Sequence, residues 1–86
     1  MHTVELLDEA VRVAQRLGYG IRHEWLGGST GGGCEIAGKK WMFVDLALSP
    51  LEQLDQIAQS LKFDPQVHAI DMSAQLRGLM QVRKCA

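Results

Sequence analysis

Cys34 follows directly on Gly31-Gly32-Gly33. A thiolate beside exposed backbone amides is a layout that acyl-transfer chemistry can use. His23 could serve as its base, with Glu24 or Asp45 as orienter. The wider run Gly27-Gly28-Ser29-Thr30-Gly31-Gly32-Gly33 holds five glycines in seven residues. Its amides at Gly31, Gly32 and Gly33, with the hydroxyls of Ser29 and Thr30, could form a concavity for an anion or small ligand. Each reading has a plainer counterpart. Free cysteine usually behaves as a small buried apolar residue, and alternation puts Cys34 on the face of Ile36, expected to be the core. Glycine-rich connections are usually flexible loops.

Stricter motifs fail. A phosphate-cradling loop needs G-x-x-x-x-G-K-[ST] between strand and helix, whereas Cys34 follows Gly33 and the nearest lysine is Lys39. The spacing G-x-G-x-x-G before a helix is also missing. His2, His23, His68, Cys34, Cys85 and the carboxylates show no metal-ligand spacing, so neither metal nor cofactor is expected. His23-Glu24-Trp25-Leu26-Gly27 opens like H-E-x-x-H but ends in Gly27. Lys39 and Lys40 beside Trp41 could bind single-stranded nucleic acid by charge and stacking, with Arg77, Arg83 and Lys84 as a second basic patch. Ten acidic against nine basic side chains leave a formal charge of −1 and no basic footprint, so nucleic acid is not an expected partner.

These side chains must be positioned by few elements. Leu7, Ala10, Val11, Ala14 and Leu17 recur at helical spacing over Val4 to Leu17, with Thr3 as cap and Gly18 as stop. Tyr19 to Leu26 alternates as a strand. Cys34 to Ala37 and Lys40 to Leu46 read as two more, joined by a type II′ turn at Gly38-Lys39 that would pair Ile36 with Trp41 and Cys34 with Phe43. Trp41-Met42-Phe43-Val44 is apolar on both faces, the mark of a central or doubly covered strand, although the short connections imply an antiparallel meander. Ser49-Pro50-Leu51-Glu52 is a capping box with proline at the first helical position, opening a helix that runs to about Lys62. Asp64-Pro65 ends it, and Asp71 or Ser73 could cap a last helix over Ser73 to Arg83.

The order helix, three strands, capped helix over residues 4–63 resembles the minimal zincin core of small H-E-x-x-H metallopeptidases. Where that signature would lie stands Gln59-Ser60-Leu61-Lys62-Phe63, so the resemblance implies topology and, at most, an inactive relative. The run from Gly31 to Lys40, followed by an apolar strand, Asp45 and Ser49-Pro50, is similar to a small bacterial α+β protein family. That second resemblance implies no activity.

With 86 residues the chain is expected to be one domain, 1–86, and too small to enclose a deep active site. Its two cysteines make no disulfide framework, no apolar run approaches the ~18 residues of a membrane span, and the start is not a secretory signal. A cytoplasmic setting without membrane contact follows as the expectation. The expected fold is α+β, a three-stranded antiparallel sheet with helices on one face, order α-β-β-β-α-α. Trp25, Trp41, Met42, Phe43, Leu46 and Leu48 exceed what one sheet face hides, so the last helix crosses the other face or a partner covers it. The expected role is a protein-interaction or structural domain, possible as a homodimer, without catalytic activity. The alternative is a small-ligand or anion-binding domain, or a thiol enzyme, using residues 27–33 with Cys34 and His23.

Overall fold

The computed structural model describes residues 2–28 and 31–80. Their order is α1 (Thr3–Arg16), β1 (Gly20–Glu24), β2 (Gly32–Ile36), β3 (Lys39–Asp45), α2 (Pro50–Leu61), a 3₁₀ turn at Pro65–Ala69, and α3 (Ala74–Met80). The α-β-β-β-α-α order therefore stands.

The sheet is mixed, not antiparallel throughout. Its strand order is β1-β3-β2, with β3 antiparallel to β2 and parallel to β1. Burial explains the correction. β3 is apolar on both faces, and the central place lets neighbours on both edges shield Met42 and Val44 on the helix side and Trp41 and Phe43 on the other. The segment after β1 carries the chain to the far edge, and the β2–β3 hairpin brings β3 back between them.

The hairpin turn also differs from expectation. Ala37 and Gly38 both have positive φ, 53° and 81°, which identifies a type I′ turn with the register Cys34↔Trp41 and Ile36↔Lys39. The pairing expected for a Gly38-Lys39 turn is thus displaced by two residues, so the side chains keep their faces but change partners. Gly32 and Gly33 belong to β2, where Gly33 N–H donates to Ser60 Oγ at 3.0 Å; regular structure penetrates the glycine run because α2 satisfies its edge.

Helices α1 and α2 pack together over one face of the sheet. Ala10, Val13, Ala14 and Leu17 meet Leu54, Ile57, Ala58 and Leu61 above Met42 and Val44. Both helix starts are capped through a glutamate. Glu5 Oε1 accepts from the His2 amide at 3.0 Å, one residue earlier than the expected Thr3 cap. At α2, Ser49 and Glu52 form the expected box, with amide contacts of 3.0 and 3.3 Å. Ser73, not Asp71, caps α3: its hydroxyl accepts from Leu76 N and donates to Glu9 Oε1 at 2.7 Å. α3 packs against α1 and α2, so its described part joins the helix layer and does not cross the opposite face of the sheet. The expected residues 81–83 of that helix lie outside the described residues. No described helix is long and apolar enough to cross a membrane.

Candidate functional site

Alternation in a strand sends successive side chains to opposite faces, and the register decides who shares a face. Arg22 of β1, Lys39, Trp41 and Phe43 of β3, and Cys34 and Ile36 of β2 share the face opposite the helices. Trp41 lies down across β1 because Gly20 leaves room: a Cβ there would come within 2.7 Å of the indole. The Arg22 guanidinium sits 5.8 Å and the Lys39 ammonium 5.0 Å from the ring centroid, within the range of cation–π attraction. Phe43 stands beside them in register with Arg22 and Gly32. The result is a flat aromatic platform with Cys34 and Ile36 at its margin, Ile36 being 53% exposed.

Cys34 is thus exposed on the open face, where the core had been expected. That expectation fails because the core face of β2 is the one carrying Gly33, packed against Ser60 and Met42. His23 is exposed, pairs in register with Val44 on the helix side, and belongs to β1, with β3 between it and Cys34. Two strand spacings, about 10 Å, and opposite faces therefore separate sulfur from imidazole. Asp45 does not orient His23 either. It is fully buried and accepts hydrogen bonds from the amides of Leu26, Gly28 and Ala47. Burial works against its charged form, but these three donors outweigh burial and hold its pKa below the ordinary aspartate value. Asp45 is a staple that fixes the entry to the glycine segment.

Of the anion-cradle candidates, Gly33 donates its amide to Ser60, Gly32 is buried opposite Phe43, and Gly31 lies against the Gln56 side chain. Ser29 and Thr30 lie outside the described residues. An open cleft of about 450 Å³ runs along β2 beside α2, lined among others by Tyr19, Gly33, Cys34, Lys40 and Ser60. Its polar end is a closed network. Asp64 Oδ2 accepts from Tyr19 Oη at 3.2 Å and Lys40 Nζ at 3.1 Å, while Oδ1 accepts from Gln66 N at 2.9 Å. Burial alone would raise the Asp64 pKa, but the Gln66 amide, Lys40 and Tyr19 together lower it. Burial, and then the Asp64 charge, raise the Tyr19 phenol.

Lys40 is consequently tied to Asp64 on the helix side, and only Lys39 stands beside Trp41; the paired lysines do not form one basic tip. The Asp64 network joins residues 19, 40 and 64, which no sequence spacing links. Asp45 left a faint local sign, since an aspartate accepting from the amide two residues on is a standard turn former. Among the described residues no group of three or more His, Cys, Asp or Glu side chains is gathered to hold a metal. Comparisons with family models, curated proteins and solved structures find no match to the chain.

Proposed function

We propose that this chain is a non-catalytic protein-interaction domain that works through the open face of its sheet. The supporting observation is the platform of Trp41 and Phe43, rimmed by Arg22, Lys39, Cys34 and the exposed Ile36, over which no described helix packs. Tryptophan, phenylalanine and arginine are the residues enriched where partners bind, and flat aromatic surface loses little rotamer entropy on contact. The separation of Cys34 from His23 supports the absence of thiol catalysis. A free, exposed thiol suits a reducing cytoplasm.

Site-specific photo-crosslinking in the source cell tests this. A photoreactive side chain at position 43 should capture protein, and the same group at position 8 on the exposed side of α1 should not. Trp41→Lys should abolish the crosslink while leaving the circular dichroism spectrum intact. No capture at position 43 in a folded protein would refute the reading.

The cleft beside Gly33 favours a second reading, a small-ligand or anion site using the glycine segment, because Lys40, Tyr19 and Ser60 place polar groups at its wall. Phosphate or nucleotide should then raise the melting temperature in step with mass action. Lack of any shift at millimolar ligand would remove it.

A further inference from the structure

The two edges of the sheet are treated differently. On β2, the outward amide of Gly33 is taken by Ser60, and α2 packs along that edge. On β1, α1 packs against the strand, but among the described residues no side chain takes an outward amide as Ser60 does on β2. In a parallel ladder alternate residues turn both main-chain groups towards the neighbour. The bond from Leu46 N–H to Glu24 O, at 2.8 Å, sets the phase: Gly20, Arg22 and Glu24 face β3, while Ile21 and His23 turn N–H and C=O outward. Trp25, just beyond the strand, is 74% exposed. Natural sheets protect such an edge with proline, lysine, a bulge, charge or shortness; Gly20-Ile21-Arg22-His23-Glu24 has no proline, lysine or bulge, and relies on its five-residue length and the charges of Arg22 and Glu24.

We infer that the outer edge of β1 pairs antiparallel with β1 of a second copy, with His23 on the twofold axis. This goes beyond the open-face reading, since it concerns the edge of the sheet and not its face. Outward-facing residues must meet outward-facing ones, which leaves three well-overlapped registers. An axis at Arg22 sets arginine against arginine, and an axis at Glu24 sets glutamate against glutamate; like charges directly opposite destabilise a pair. The axis at His23 alone sets Arg22 against the partner's Glu24, twice by symmetry. It also lays the exposed Trp25 against the partner's Ile21, again twice.

The charges are ready for this. Arg22 Nε and Nη2 already hold Glu24 Oε2 at 3.1 and 2.7 Å, while Nη1 and Glu24 Oε1 make no hydrogen bond among the described residues. Pairing therefore turns two intrachain ion pairs into one alternating row of four charges, and two three-stranded sheets into a single sheet. A contact along one five-residue strand is small, so the dimer is expected to be weak and reversible.

Sedimentation equilibrium over micromolar concentrations, with charge-reversed variants, decides the matter. The wild type should show reversible dimerisation. Glu24→Arg carries two cations on this strand and Arg22→Glu two anions, so each alone should be monomeric. An equimolar mixture of the two should recover a heterodimer, as should the doubly exchanged chain with itself. These are exposed side chains, and circular dichroism checks that each variant stays folded. A monomeric wild type at every concentration, or a dimer unaffected by either reversal, would overturn the edge pairing. A dimer lost on Trp41→Lys but kept by both reversals would overturn it while supporting the open face as the contact.

Discussion

Ala37 is the one described non-glycine residue with positive φ, at 53°, and it sits in the turn that sets the register of β2 on β3. The left-handed region costs an L-residue about 1–2 kcal/mol. Ala37→Asn should recover most of this, because asparagine tolerates that conformation and Asn-Gly is the preferred type I′ pair. Ala37→Gly relieves the same strain but adds about 0.4–1 kcal/mol of unfolded-state entropy, so its net gain should be smaller. Gly38, at φ 81°, is the converse case, and Gly38→Ala should lose about 1 kcal/mol net. For a domain of this size 1 kcal/mol moves the melting temperature by about 4–8 °C. Thermal melts should therefore rank Asn above Gly above the wild-type Ala at position 37. The competing turn at Gly38-Lys39 makes the opposite forecast, since position 37 would be an extended strand residue, where asparagine is disfavoured. A lower melting temperature for Ala37→Asn would refute the type I′ turn and with it the placing of Cys34 beside Trp41.

Three further outcomes are expected. Gly20→Val puts a side chain where the Trp41 indole lies, 2.7 Å from a Cβ; it should cost about 1–3 kcal/mol, and in a Trp25→Phe background the Trp41 emission should shift to the red. An unshifted spectrum would mean that the indole does not rest on β1. Met42 is fully buried between sheet and helices, so Met42→Ala should cost about 2–5 kcal/mol in urea unfolding, and a cost under 1 kcal/mol would place it elsewhere. Asp45 and Asp64 have folded-state pKa values below their ordinary ones, so the stability they supply is complete at neutral pH and is lost as pH falls below about 4. Urea midpoints should fall across that window and Asp45→Asn should flatten the fall; a flat wild-type profile down to about pH 3 would contradict the amide cradle around Asp45.

Much of the local structure was legible in the residues themselves. The Ser49-Pro50-Leu51-Glu52 start, the apolar stripes of α1 and α2 and the break at Asp64-Pro65 all arise within about one helical turn, and each is found where its pattern placed it. The double-sided apolarity of Trp41 to Val44 is compatible with the central place of β3, but the short connections argue for a meander that would leave it at an edge. Which strands flank it was not legible. Antiparallel and crossed connections differ little in chain entropy, so the choice falls to burial summed over residues far apart in sequence. The candidate site divides in the same way. The aromatic and basic residue types were visible, but whether Cys34 is buried, whether Lys39 and Lys40 act together, and whether His23 meets Cys34 all depend on strand order and face. The Asp64 network likewise draws on three separate elements. Sequence determined the elements because their signals are short-ranged; tertiary structure decided the surface because pairing and burial join residues that no local spacing connects.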